Sequence, residues 1–314
     1  MVSKTLHNYP FSGLLFAIIL WSLSMVAMKI TIEQLGPILT VLLRLIIASV
    51  FLLPFLPRLL KQGVRRQDWK WLLLMALFEP CLYFVMEGFA VKYTTASEAG
   101  MITSVQPLLI ALGAWLFLKE KTTTELFIGS LIAFLGVLIM SMNGETSASA
   151  PNPTLGNGLE LIAMFVAAGY AMMSRKMSQH YSPLFLTALQ AFAGTLFFIP
   201  LALIFPTAGA IHINLLGVVC LVFLGLGVNV VAFLLYNNGL KLIGANKLSV
   251  WLNLVPLGTF IFGWLLLDEQ LQATQYAGAF VVLIGLGVSQ WRTKKAFAIL
   301  DTTACEEKLN TETI

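Results

Sequence analysis

Residues 92–120 read KYTTASEAGMITSVQPLLIALGAWLFLKE, and residues 241–269 read KLIGANKLSVWLNLVPLGTFIFGWLLLDE. Laid over one another with Lys92 on Lys241, they match at Ala96 and Ala245, Pro107 and Pro256, Trp115 and Trp264, and Glu120 and Glu269. The same register carries Gly129 onto Gly278 and Gly136 onto Gly285. A slightly smaller shift places Gly13 on Gly158, Pro37 on Pro183 and Pro54 on Pro200. The chain therefore reads as a tandem duplication. Each quoted stretch is a continuous apolar run rather than an alternating one, which is the pattern of a helix buried on all sides and not of a barrel strand.

The rest of the chain has the same character. Of 314 residues 58% are apolar and only 11% carry charge, against about 25% charged in a typical soluble domain. That excludes a water-soluble globule. Ten apolar stretches of about 21 residues could each cross a hydrocarbon core about 30 Å thick. They are predicted near 11–31, 37–57, 69–91, 94–118 and 123–141, then 156–178, 183–206, 213–240, 246–267 and 273–292. The expected fold class is all-α: a polytopic membrane protein of ten transmembrane helices arranged as two five-helix repeats, 11–141 and 156–292, followed by a cytoplasmic tail, 293–314. The third span contains Glu79, Pro80 and Glu87, and a nine-span arrangement without it is the alternative.

Charge decides for ten. With the amino terminus inside, the inner segments collect nearly all of the 19 basic residues, from Lys4 through Arg58, Lys61, Arg65 and Arg66 to Arg292, Lys294 and Lys295. Only Lys29 and Lys92 fall near the outer face, so the positive-inside rule puts both termini in the cytoplasm. Five spans per half is an odd number, so the halves enter the membrane in opposite directions, as in inverted-repeat transporters. The loops agree: Lys119-Glu120-Lys121 is basic and expected inside, whereas Asp268-Glu269-Gln270 is acidic and expected outside. The first apolar run is too long for a signal-peptide core and reads as an uncleaved anchor.

On these residues the chain resembles the ten-span EamA-type branch of the drug/metabolite transporter superfamily. The resemblance covers about residues 11–292. It rests on the duplication, on Thr95-Ala96-Ser97-Glu98-Ala99-Gly100 with the later Gln106-Pro107, on the echo Gly244-Ala245-Asn246 with Val255-Pro256, and on the endings Phe117-Leu118-Lys119-Glu120 and Leu266-Leu267-Asp268-Glu269. It implies export or exchange of small polar metabolites, often amino acids, across a bacterial inner membrane.

Ionisable groups inside a span cost about 2.5–3.5 kcal/mol each on insertion scales and so need a partner, a cavity or a function. Arg44 lies about 10 Å deep in the second span at 1.5 Å per residue. Glu79, Tyr83 and Glu87 follow one another at four-residue spacing and form a polar ribbon along the third. Arg44 either pairs with Glu87 or Glu98 as a structural ion pair, or holds a substrate carboxylate in its planar fork. Glu79 or Glu87 would then meet a substrate amine, and Glu79 could exchange a proton with it. At equivalent positions the second half is polar but nearly uncharged, and Tyr170, Gln190, Asn229, Asn237 and Asn253 are its candidate ligand groups. Each amide could equally serve as an interhelical hydrogen bond. Trp69, Trp71, Trp251 and Trp291 lie mostly near predicted interfaces and read as belt anchors, with Trp21 and Trp251 the candidate cavity aromatics. Pro80, Pro107 and Pro256 are candidate flexing points or static kinks. The stripes of Gly129 and Gly136, and of Gly278 and Gly285, allow close helix approach, either between the halves or in a dimer.

Other functions are disfavoured. Cys81, Cys220 and Cys305 have no metal, redox or disulfide spacing, and His7, His180 and His212 lie outside span cores. There is no P-loop for ATP. The net charge of +4 sits at span ends, so no nucleic acid partner is expected. We expect no enzyme and no cofactor. The expected partners are a small-molecule substrate, the lipid bilayer and a proton as coupling ion, in a monomer or homodimer. Amino acids or related zwitterions are the first substrate class, and organic cations of the multidrug type are the alternative.

Overall fold

The computed structural model describes residues 10–119, 124–141, 146–206, 212–269 and 272–290. Among these residues every regular element is a helix, and no strand occurs. The expectations for Lys4, Glu120, Lys121, Gln270, Trp291, Arg292, Cys305 and the tail 293–314 lie outside the described residues. We label the helices α1 (Pro10–Leu35), α2 (Pro37–Gln62), α3 (Trp69–Tyr93), α4 (Ala96–Phe117), α5 (Thr124–Ser141), α6 (Pro153–Met177), α7 (Pro183–Ile204), α8 (Leu215–Ile243), α9 (Ala245–Leu252), α10 (Leu254–Leu267) and α11 (Ala273–Gln290). Seven of them, α1 to α4 and α6 to α8, are long and apolar enough to cross a membrane. Helices α5, α10 and α11 are apolar but shorter. The third span is among the seven despite its two acids and proline.

Local chemistry sets the breaks. Helix α1 runs past its expected end at 31 to Leu35, because nothing interrupts it before Gly36, whose φ of 75° turns the chain into Pro37 at the start of α2. Gly244, with φ 85°, plays the corresponding part between α8 and α9. Asparagine or serine caps open three later helices: Asn152, Ser182 and Asn214 accept the backbone N–H of Leu155, Phe185 and Gly217. Pro153 and Pro183 follow at the first helical position, where a missing N–H costs nothing.

Two helices widen in the middle. In α3 a wide turn spans Leu77–Leu82, with Glu79 in extended backbone at φ −142° and ψ 120°. In α8 a wide turn spans Phe223–Ala232. Helix α4 tightens at Thr103–Val105 just before Pro107, and the chain breaks at Asn253 between α9 and α10, just before Pro256. Both prolines are buried.

The largest core cluster draws on α1, α2, α3, α6, α7 and α8 together, so the two halves share one interior. Helices α5 and α11 pack tightly at one side. A Cβ on Gly129 would run into backbone atoms of Gly285 and Ser289, and one on Gly136 into Gly278 and Val282. The two glycine stripes therefore face each other within one chain.

Candidate functional site

Helices from both halves surround a central cavity with about 60 Å³ available to the centres of water molecules. One water needs roughly 10–15 Å³ on this measure, so the space suits a cluster of waters or part of a small solute. Trp21, Ser24 and Met25 of α1, Arg44 of α2, Glu79, Tyr83, Phe84 and Glu87 of α3, and Thr103 and Gln106 of α4 form the first-half walls. Tyr170 of α6, Val228, Phe233 and Tyr236 of α8, Leu252 of α9 and Val255 of α10 close the other side.

The charged wall is organised around Arg44. Its Nη2 lies 3.3 Å from Glu87 Oε2, with both side chains buried. The guanidinium carbon sits 3.8 Å from the centre of the Phe84 ring, and Nη1 is 3.0 Å from Met28 Sδ. Nε makes no hydrogen bond among the described residues. Tyr83 donates to Glu87 Oε1 at 2.8 Å, so one carboxylate takes a cation on one oxygen and a hydroxyl on the other. Glu79 also faces the cavity and is 6% exposed, but its carboxylate makes no hydrogen bond or ion pair among the described residues. It stands in extended backbone within the widened turn of α3, out of the regular helical register of Tyr83 and Glu87, yet lines the same cavity.

The second-half wall is aromatic. Trp21 meets Phe233 and Tyr236 edge-on, with ring centres 5.6 and 5.1 Å apart, and Tyr170 stacks on Tyr236 at 6.1 Å. The Tyr236 hydroxyl is buried without a hydrogen-bond partner among the described residues. Behind this wall is a satisfied polar network. The Tyr170 hydroxyl lies 2.8 Å from Asn237 Oδ1 and 3.2 Å from Gln190 Oε1, Ser174 donates to the same Asn237 oxygen, and Asn237 Nδ2 donates to Thr187.

Of the residues singled out in the sequence, Trp21, Arg44, Glu79, Tyr83, Glu87 and Tyr170 line this one cavity. Gln190 and Asn229 line a smaller cleft of about 10 Å³ beside it, together with Pro80, Phe84 and Phe233. Neither amide atom of Asn229 has a hydrogen-bond partner among the described residues. Asn253 and Trp251 lie away from both spaces: Asn253 donates to Ser289 of α11, and Trp251 packs on the main core while its neighbour Leu252 reaches the cavity. Glu98 is not the partner of Arg44. It accepts Thr94 at 2.6 Å, Asn157 at 3.1 Å and Gln275.

The sequence reading passed over several residues that the fold puts at or near the site. Thr103 and Tyr236 line the cavity, and Gln106 does so beside the proline that drew notice instead. Glu160 of α6 is fully buried, and neither carboxylate oxygen has a hydrogen-bond partner among the described residues. The test applied to the other acids, an ionisable group inside an apolar run, singles it out too. Lys29, expected near the outer face, is 3% exposed and donates to the backbone oxygens of Val91, Thr94 and Ser149.

Comparison with known proteins bears on what such a cavity serves. The model of the EamA-like transporter family matches residues 11–142 and again 154–290. The uncharacterized transporter YetK of Bacillus subtilis (strain 168) is 28% identical over 312 residues, covering 98% of this chain and 93% of that protein. An uncharacterized transporter of Archaeoglobus fulgidus is 26% identical over 276 residues, 87% of this chain and 94% of its own length. A crystal structure with 19% sequence identity superimposes with a TM-score of 0.68 over 92% of this chain and 99% of that one.

Proposed function

We propose that this chain, which belongs to the EamA-like transporter family and is a multi-pass membrane protein, is a secondary transporter that carries small zwitterions such as amino acids through the central cavity. The observation that carries this reading is the placement of one guanidinium and two carboxylates around the same cavity: Arg44 beside Glu87, with Glu79 lining it without an ion-pair partner among the described residues. A zwitterion supplies the complement. Its carboxylate displaces Glu87 from Arg44 and accepts the planar fork, and its ammonium settles between Glu79 and the released Glu87. Tyr170, Tyr236, Gln106 and Thr103 offer neutral hydrogen-bonding groups around it, with Trp21 as an apolar lid.

In this reading ten spans form two inverted five-helix repeats, residues 11–141 and 156–292, in the bacterial inner membrane with both termini in the cytoplasm. Support comes from the family model matching each half once, from the helix breaks before Pro107 and Pro256 at matching positions, and from the facing glycine stripes of α5 and α11. The halves exchange conformations about these breaks and the kink at Pro80, so that the cavity opens to one side at a time. A proton or a counter-transported solute drives the cycle, with Glu79 as the group that meets the proton in the cavity. The single chain completes the cavity.

Organic cations are the second reading, and a specific feature favours them. Arg44 is already held by Glu87, Phe84 and Met28, which leaves Glu79 and an aromatic wall for a cation. A thermal-shift screen of the detergent-solubilised protein tests both, since a selective ligand stabilises the state that binds it. Zwitterionic amino acids such as glycine and L-alanine should raise the melting temperature of the wild type and not of Arg44→Gln. If only organic cations do so, and Arg44→Gln keeps the response, the zwitterion reading falls.

A further inference from the structure

The sequence register that carries Lys92 onto Lys241 also carries Phe84 onto Phe233. Both rings line the central cavity, and they meet edge-on with centres 6.4 Å apart. In the same register Glu79 falls on Val228 and Glu87 on Tyr236, and all four line the cavity. So do Thr103 with its counterpart Leu252, and Gln106 with its counterpart Val255. On α2 and α7 the register that carries Pro37 onto Pro183 pairs Ser49 with Thr195, whose hydroxyls are 2.9 Å apart. The two halves therefore face each other across the cavity with equivalent positions. Side chains alone make its two walls differ.

That difference has one direction. Against Glu79, Thr103 and Gln106 in the first half stand the aliphatic Val228, Leu252 and Val255 in the second. Against Glu87 stands the Tyr236 ring. Arg44 adds its charge to the first-half wall, whereas its counterpart Gln190 lies in the smaller cleft. Among the described residues no Asp, Glu, Lys or Arg of the second half lines the cavity. Trp21 comes from the first half but packs on Phe233 and Tyr236, so it extends the apolar side. Tyr170 comes from the second half, spends its hydroxyl on Asn237 and Gln190, and stacks its ring on Tyr236. Met25 of α1 is the exception to the division.

We propose that the transported solute is amphipathic: an amino acid whose charged head lies against the first-half wall and whose apolar side chain lies against Val228, Leu252 and Val255. The charged head rests on the zwitterion reading above, while the apolar side group rests on the pairing of the walls. An apolar group gains by leaving water for such a surface in proportion to the area it buries. A hydroxyl in the same place gives up its hydration with little to replace it.

The test is titration calorimetry of the full chain in detergent. Glycine, L-serine and L-leucine are one series. Tetramethylammonium and benzyltrimethylammonium are a second, with a cationic head in place of the zwitterion. L-Leucine should bind about tenfold or more tightly than glycine or L-serine, since a single methylene in an apolar pocket is already worth that factor. Glycine or L-serine binding as tightly as L-leucine overturns the inference. If no amino acid binds and the cations do, the zwitterion reading falls, and the cations decide the inference: the benzyl compound must win by the same factor, and equal affinities overturn it. Binding of none of these solutes overturns both readings. Leu252→Thr and Val255→Gln then give the second half the residues that the first carries at those positions. Each should reduce the preference for L-leucine over glycine by about threefold or more. An unchanged preference in both variants overturns the orientation, and the wild-type series decides the solute class even where a variant does not fold.

Discussion

Arg44 and Glu87 are 3.3 Å apart on the cavity wall, and their side chains are 2% and 7% exposed. Two charges so deep are held in place by each other. Removing one leaves the other buried and unpaired, a change that costs about 3–5 kcal/mol in comparable buried pairs. We expect Glu87→Met and Arg44→Met each to lower the detergent melting temperature sharply. The double variant Arg44→Met with Glu87→Met should lose much less, because no charge is left behind. A double-mutant cycle on melting free energies checks this. Additive losses would mean that the two residues do not depend on each other.

Glu269 reaches from the loop after α10 to the start of α4 and accepts the N–H groups of Ala96 and Ser97, each at 2.8 Å. It satisfies donors that the helix itself cannot and places a negative charge at the positive end of the helix dipole. Losing a cap costs about 1 kcal/mol. We expect Glu269→Ala to lose roughly that much stability, and the amides of Ala96 and Ser97 to exchange faster in hydrogen-exchange mass spectrometry. Unchanged exchange there would show that the contact does not hold α4 in place.

How much of this could be read beforehand differs from residue to residue. The apolar runs, and the pairs such as Pro107 with Pro256, required only counting along the chain, and so did the polar ribbon of Glu79, Tyr83 and Glu87. The partner of Arg44 did not follow from counting. Glu87 and Glu98 are both open partners in the sequence, and only the packing shows that Arg44 takes Glu87 while Thr94, Asn157 and Gln275 take Glu98. Trp251 and Asn253 illustrate the same limit. They sit in a polar-looking break, but the turn at Asn253 points Leu252 and Val255 inward instead. The Glu269 cap joins residues far apart in sequence through backbone N–H groups, which carry no side-chain signature. Glu160 meets the same rule as Glu79, an ionisable group inside an apolar run, and was legible in the sequence.

The glycine stripes lead to a third expectation. Because a Cβ on Gly129 would meet backbone atoms of α11 and not a movable side chain, Gly129→Ala must push α5 and α11 apart. Overpacking of this kind costs about 1–3 kcal/mol. The same substitution at Gly158, where a Cβ meets nothing within 4 Å, should be close to neutral. Melting curves of the two variants test this. Light scattering adds a second readout: a stripe that joined two copies would give a change of mass in Gly129→Ala, and we expect none.

At the membrane edge Asp68 accepts Arg65 Nε at 2.6 Å and the Tyr181 hydroxyl at 3.0 Å. The hydrogen bond from Arg65 is the main reason its carboxyl is held below the usual carboxylate value, with burial working in the opposite direction and Tyr181 adding to the lowering. A depressed folded value means that the ionised form favours the folded state. That contribution is complete above the ordinary carboxylate range and is lost as pH falls through the lowered value. We therefore expect the melting-temperature gap between wild type and Asp68→Asn to be constant around neutral pH and to close in acid. A gap that widened in acid would reverse the sign and contradict the pairing.

Glu79 supplies the last expectation. It faces the cavity without a bonded partner, and the one guanidinium nearby is committed to Glu87, so in the empty cavity its charge has nothing built to offset it. Something mobile has to take that place, either a proton or a substrate ammonium, and the two compete for one carboxylate. Transport should then weaken as the medium is made more acidic on the side from which substrate binds, because protons hold the site. Glu79→Gln carries a neutral group of the same shape and no longer exchanges a proton. In proteoliposomes we expect it to lose uphill, pH-driven transport at least tenfold, while exchange of labelled for unlabelled solute continues with a flat pH profile. Should Glu79→Gln keep both its rate and the pH dependence of the wild type, the proton meets the substrate at some other group, and Glu79 belongs to the wall and not to the coupling.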